Sequence, residues 1–170
     1  MAWHDGQGGG LIVSKEDQSS GATWGCRGVI IGTNEGYGSG PSNTAAIIEG
    51  CDEQNIAARK ANNYVKDDYN DWFLPSKDEL NLAWCVLGSN GTEDRWEDQC
   101  SEYIDIEDHP GENLAGFSHG DNLNERYWSS SEVSSDRAER IQIRTGWWGY
   151  VYYRVKNSEH SVRAVRFFND

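Results

Sequence analysis

No stretch of this 170-residue chain approaches the roughly 20 consecutive apolar residues that a membrane-spanning helix requires. The first residues, Met1-Ala2-Trp3-His4-Asp5, lack the basic and apolar leader of a secretory signal. The chain therefore reads as soluble, with no membrane insertion, and fits the C-terminal part of a larger protein. Zinc spacing is missing too: the four cysteines form no C-x-x-C pair, and His4, His109, His119 and His160 are scattered. Basic residues are scarce over most of the length. Residues 1–135 carry eight Lys or Arg against twenty-four Asp or Glu, so polyphosphates and anionic membranes are repelled and no nucleic-acid partner is expected. No twelve-residue calcium-loop pattern accompanies the acidic clusters at Asp67-Asp68 with Asn70-Asp71, or at Asp105, Glu107 and Asp108. They read as solvated loops, and neither a metal nor a cofactor is expected.

What is present suffices for one domain over residues 1–170. The mean hydropathy is low, at -0.78, but eight Trp and eight Tyr each bury large areas and supply a core. Nineteen Gly point to many turns rather than long helices, which gives a loop-rich α+β or mostly β domain. The four cysteines, Cys26, Cys51, Cys85 and Cys100, permit two disulfides in three connectivities, or free thiols packed as small hydrophobes.

Strand signals open the chain at residues 6–13, and Gly28-Val29-Ile30-Ile31-Gly32 repeats their pattern of glycine and short apolar run. A helix capped by Ser42 or Asn43 is predicted to carry Ile47, Ile48, Cys51, Ala57, Ala58, Ala61 and Val65. The next helix is better marked. Pro75 precedes it, Ser76-Lys77-Asp78-Glu79 matches a capping box, and Leu80, Ala83, Trp84 and Leu87 recur at helical spacing before Gly88. Trp72, Leu74, Leu80 and Trp84 are predicted to lie in the core. Residues 89–125 read as long irregular structure pinned by Trp96 and Cys100.

Alternation returns after Arg126. Ile141 and Ile143 alternate with Arg140, Gln142 and Arg144; Val151, Tyr153 and Val155 alternate with Tyr150, Tyr152 and Arg154. The turns at Thr145-Gly146 and Lys156-Asn157-Ser158 separate three strands, the last running from Val162 to Phe168. Arg163 and Arg166 in that strand are expected to find carboxylate or carbonyl partners inside an acidic protein, as structural groups rather than ligand contacts.

Two motifs carry little. Gly116-Phe117-Ser118-His119-Gly120 has the Gly-x-Ser-x-Gly form of a hydrolase elbow but lacks the preceding strand and following helix, and Asn90-Gly91-Thr92 is a formal glycosylation sequon that reads as an ordinary turn. The segment Trp147-Trp148-Gly149-Tyr150-Val151-Tyr152-Tyr153-Arg154 carries more, since five of its first seven residues are aromatic. If Val151, Tyr153 and Val155 face the core, then Tyr150, Tyr152 and Arg154 face outward beside Arg140, Gln142 and Arg144. Exposed Tyr, Trp and Arg dominate binding hot spots. The bland alternative is cross-strand aromatic packing that only stabilises a sheet. Residues 136–170 carry seven Lys or Arg against four Asp or Glu, opposite in sign to the rest, which favours recognition.

Several ordered blocks together resemble a known family. They are Gly10-Leu11-Ile12-Val13, Asn43-Thr44-Ala45-Ala46-Ile47 leading to Cys51 and Ala57-Ala58, Asp71-Trp72-Phe73-Leu74-Pro75-Ser76-Lys77-Asp78-Glu79-Leu80, Tyr127-Trp128-Ser129-Ser130-Ser131-Glu132, and Val162-Arg163-Ala164-Val165-Arg166. The chain resembles the Lcl C-terminal domain family, found in bacterial surface and phage proteins. The resemblance implies a C-type-lectin-like fold, often trimeric, that attaches to sugars or proteins and is not an enzyme. It also implies that Cys26 and Cys51 lie close enough to bridge. The framework is similar to the variable proteins of diversity-generating retroelements, whose ligand-facing positions would here fall within Val133 to Ser161. The Glu-Pro-Asn, Gln-Pro-Asp and Trp-Asn-Asp signatures of calcium-dependent sugar-binding lectins are absent, and the active-site cysteine motif of formylglycine-generating enzymes is not identified.

The leading expectation is therefore a ligand-binding domain of a phage tail fibre or bacterial surface protein, located on the virion or cell surface. It would bind a protein or carbohydrate through Arg140, Gln142, Arg144, Trp147, Trp148, Tyr150, Tyr152 and Arg154. The second is a carbohydrate or glycosaminoglycan adhesin in which the same arginines pair sulfates. The third is an enzyme working through acidic loop residues such as Glu132.

Overall fold

The computed structural model describes residues 2–4, 6, 8–87, 100, 114–118, 126–144 and 148–169, and the backbone alone at 2–4, 144 and 148–150. Eight strands and three helices of these residues make an α+β architecture. Strands β1 (Ala2–His4), β2 (Gly9–Val13) and β8 (Val165–Asn169) form an antiparallel sheet in the order β1-β2-β8. Strands β3 (Ser19–Ala22), β4 (Arg126–Glu132), β5 (Arg137–Arg144), β6 (Trp148–Val155) and β7 (His160–Val162) form the second, in the order β3-β7-β4-β5-β6, with β4 and β7 parallel and the other pairs antiparallel.

The helix over Lys77–Leu87, α3, begins as its capping box predicts. Ser76 N donates to Glu79 Oε2 at 2.7 Å, and Glu79 N donates back to Ser76 Oγ at 3.3 Å. Glu79 is fully buried, and its other oxygen accepts Gly38 N at 2.8 Å and Gly40 N at 3.2 Å, so one carboxylate ties α3 to the preceding loop. Gly40 has to be glycine for the same reason, because a Cβ there would collide with that carboxylate and with the Phe73 ring.

The single helix expected beyond Ser42 is two. Helix α1 spans Gly40–Gly50 with Ser39 at its N-cap, and α2 spans Ala57–Asn62. The break falls where Cys51 is bonded to Cys26 and where Ile56 bridges to Thr23. Asn43 does not cap. It lies buried within α1, accepting from Asn34 N at 2.9 Å and donating to Asn34 O at 2.7 Å and Ser130 Oγ at 3.1 Å. Val65 lies beyond α2 and is exposed.

Gly28–Gly32 is a loop and not a strand. No ladder holds its backbone: Gly28 N donates to Ser135 O at 2.8 Å and Val29 N to Cys26 O at 3.1 Å, Ile31 N and Gly32 N donate to the Glu132 carboxylate, and Val29 O accepts from Lys156 Nζ at 2.8 Å. The strand expected from Val162 to Phe168 divides at Arg163-Ala164, leaving β7 in one sheet and β8 in the other. Both arginines there find the expected partners. Arg163 pairs with Asp17 at 2.6 Å and donates to the carbonyls of Ser14, Ala115 and Gly116; Arg166 makes two bonds to Asp71, at 2.7 and 2.9 Å.

Two apolar clusters fill the interior. One gathers α3, Leu11, Val13, Phe117, Tyr127, Ile141, Ile143 and Val165; the other gathers α2, Trp24, Ile47, Trp72, Leu74, Trp128 and Ala138. Trp72, Leu74, Leu80 and Trp84 are all buried, as the sequence predicts. Tyr127 and Trp128 are neighbours on β4 but enter different clusters, so the five-stranded sheet is covered on both faces over its β4 and β5 portion. Disulfides join Cys26 to Cys51 with Cα atoms 5.3 Å apart and Cys85 to Cys100 with Cα atoms 5.4 Å apart. Of the long segment 89–125, only Cys100 and 114–118 are described, and Trp96, the sequon at Asn90, the acidic group at Asp105, Glu107 and Asp108, and His119-Gly120 lie outside the described residues.

Candidate functional site

The last two strands of the five-stranded sheet carry the segment singled out by its aromatic and arginine content. Their register runs unbroken from Arg137↔Val155 to Arg144↔Trp148, with Arg140↔Tyr152 and Gln142↔Tyr150 between. Directly opposed residues share a face. Arg140, Gln142 and Arg144 therefore lie on the same side of the sheet as Trp148, Tyr150, Tyr152 and Arg154, as the alternation predicts. Arg126 of β4 joins that side opposite Gln142, and Trp128 joins it opposite Arg140.

Exposure differs from expectation in two respects. Arg140 and Gln142 are buried, at 6% and 5%, and do not project into solvent. Strand β5 has a neighbour on each side, and its outer side borders the cluster around Trp128 and Ala138. The Arg140 guanidinium lies 5.7 Å from the Tyr152 ring centre, and its Nη1 donates to Gln142 Oε1 at 3.3 Å. The second correction concerns β6, whose core-facing set is not buried. Val151 is 40% and Tyr153 54% exposed, because β6 is the sheet's outermost strand and overhangs the apolar cluster that swallows Ile141 and Ile143. The Arg137 guanidinium sits over the Tyr153 ring at 5.1 Å.

Tyr152, at 46%, and Arg154 are the predicted site residues that the structure presents to solvent. Arg144, Trp148 and Tyr150 occupy the expected strand positions, but their side chains lie outside the described residues, as does Trp147 altogether. On this side of the sheet Tyr152 and Arg154 are exposed beside a buried Arg140–Gln142 pair.

His160 is a member of this neighbourhood that sequence reasoning missed. It lies on β7 with its ring centre 4.5 Å from that of Trp128, and only 3% of it is exposed. Burial pushes its pKa down to about 3, and the charges of Arg140, Arg126 and Arg154 push the same way, so His160 is neutral and the local field is positive. Nothing in the sequence around a lone histidine signals this; it follows from β7 inserting between β3 and β4. On the opposite side of β5, Glu139 is raised to about 7 by burial and by Glu35 and Asp78, against the attraction of Lys77.

The remaining candidates are engaged within the fold where they are described. Burial would raise the Glu132 pKa, but the Lys156 ammonium 2.5 Å away and the N–H groups of Gly32 and Ile31 outweigh it and hold the carboxyl below its usual range. Lys156 is itself fully buried, over the Trp24 ring at 4.5 Å. In the elbow-like motif Phe117 is buried and Ser118 N donates to Tyr127 Oη at 2.8 Å. Among the described residues, the one cluster of possible metal ligands is Cys26, Cys51 and Glu53, and its two sulfurs are bonded to each other. No described helix is long and apolar enough to cross a membrane. Two disulfides in so small a chain are characteristic of proteins that work in oxidising, extracellular surroundings.

No known family model matches the chain, and no characterised protein compared with it is similar in sequence.

Proposed function

We propose that this chain is a non-catalytic recognition domain of the C-type-lectin-like class, carried on a phage tail fibre or a bacterial surface protein and diversified as retroelement variable proteins are. It binds a protein or carbohydrate on a cell surface through the side of β5 and β6 that bears Tyr152 and Arg154. The observation that carries this reading is the solvent exposure of that Tyr and Arg beside a buried Arg140–Gln142 pair, in the one part of an acidic chain with a positive balance. The α+β architecture and the disulfides fit a domain of this class at a cell or virion surface. The burial of Glu132 against Lys156 weighs against the acidic-loop enzyme, since that carboxylate is already engaged by protein groups.

Titration of labelled domain onto intact bacterial cells tests it. Tyr152→Ala and Arg154→Ala should each weaken binding by more than about 1 kcal/mol while leaving the unfolding midpoint nearly unchanged, because both side chains are exposed. Full binding by both variants would return the strand to simple sheet packing. A second reading, a glycosaminoglycan adhesin, is favoured by the shared field of Arg126, Arg140 and Arg154 around His160. Retention on immobilised heparin that collapses with added salt would select it.

A further inference from the structure

A pocket of about 410 Å³ lies between β2, β8 and the segment that follows α2, and all the residues lining it are among the described ones. That volume falls within the roughly 300–1,000 Å³ of small-ligand sites. The pocket shares no residue with the β5–β6 face. Three aromatic rings line it, and each is held in place. Tyr64 meets the buried Trp72 edge to face, with ring centres 5.0 Å apart, and its hydroxyl donates to Glu16 Oε1 at 3.1 Å. Trp72 Nε1 donates to Tyr69 O at 3.2 Å. The Arg166 guanidinium, fixed by its two bonds to Asp71, sits 3.8 Å from the centre of the Tyr69 ring, yet Tyr69 stays 51% exposed. A strained turn borders the same pocket. Lys66 and Tyr69 exchange both backbone hydrogen bonds, at 3.1 and 2.9 Å, which leaves Asp67 and Asp68 as a two-residue turn with φ of 51° and 67°. Such turns favour Asn-Gly, because glycine adopts positive φ without steric cost. Strain of this kind collects at ligand sites, and here it sets Lys66, Asp67 and Tyr69 side by side in the lining.

The balance of charge in the lining indicates the occupant. Arg166 is answered by Asp71, which leaves Lys15 and Lys66 against Glu16 and Asp67. The two ammonium groups oppose a cationic ligand and the two carboxylates oppose an anionic one. A hydroxyl both donates and accepts, so a polyol can use all four groups at once. Aromatic surface beside them suits a ligand with one apolar face. We propose that this pocket binds a neutral hexopyranose unit of a glycan, with the C–H face of the sugar against Tyr69 and Tyr64 and its hydroxyls bonded to the two lysines and two carboxylates. This is a second site, separate from the recognition surface on β5 and β6, and it does not rest on that reading.

A glycan array carrying neutral, sialylated and sulfated saccharides, followed by calorimetric titration of the strongest neutral one, tests the pocket. The wild-type chain should bind neutral glycans in preference to charged ones. Tyr69→Ala should weaken that binding at least tenfold. Asp67→Gly should weaken it at least threefold without lowering the unfolding midpoint, since glycine relaxes the turn while the carboxylate is removed, an outcome that misfolding could not give. An array on which no neutral glycan binds, a preference for sialylated or sulfated saccharides, or a Tyr69→Ala or Asp67→Gly variant that binds the neutral glycan like wild type would each overturn the proposal.

Discussion

Burial displaces two ionisable groups of the five-stranded sheet in directions that oppose each other in stability. His160 falls from an ordinary 6.5 to about 3, so between those values the unfolded chain binds the extra proton and stability is lost as pH drops. Glu139 rises from 4.5 to about 7, so in its window the folded chain holds the extra proton and stability is lost as pH climbs. The two slopes oppose each other between pH 4.5 and 6.5. Thermal melts across that range should show His160→Gln removing the acid-side loss, and Glu139→Gln steepening it while raising the midpoint at neutral pH. A melting profile unaltered by either change would contradict both displacements. Trp84 is a simpler case: buried in α3, it should cost about 3 to 5 kcal/mol on replacement by Ala, read from urea unfolding.

Elements built on short-range chemistry were legible in the sequence, and those decided by neighbours were not. Helix α3 was readable because its capping box and apolar stripe lie within a dozen residues. The alternation of β5 and β6 likewise matches the register that places Arg140 opposite Tyr152 and Gln142 opposite Tyr150. Which face is covered depends on what packs there, and periodicity is silent on that; hence Arg140 is buried and Tyr153 is not. The alanines of α2 read as a continuation of α1 because the turn at Cys51 is imposed by a partner 25 residues earlier. Residues Gly28–Gly32 imitate a strand in composition, yet most of their hydrogen bonds go to Glu132, Ser135 and Lys156, far along the chain. Removing the Cys26–Cys51 crosslink by double substitution to Ala should lower stability by about 3 kcal/mol from loop-closure entropy, measured by denaturant titration of variant against wild type.

On the scale of the whole molecule, the uneven charge was visible in the sequence, but its arrangement was not. The positive balance of residues 136–170 is partly spent inside the fold, on the pairs Lys156–Glu132, Arg163–Asp17 and Arg166–Asp71, and among the described side chains of the candidate face Arg154 is the exposed cation. The insertion of β7 between β3 and β4 bears on biosynthesis. Strand β3 pairs with residues about 140 positions later in the chain, and β2 finds β8 at a similar distance. Neither sheet can close while the last dozen residues are still within the ribosome. Earlier segments emerge with Trp24, Trp72 and Trp128 uncovered, a slow and aggregation-exposed route for a chain of such high contact order. A chain ending at residue 159 should accordingly show no cooperative unfolding transition, whereas a native-like melt from that truncation would mean that the two sheets assemble without their final strands.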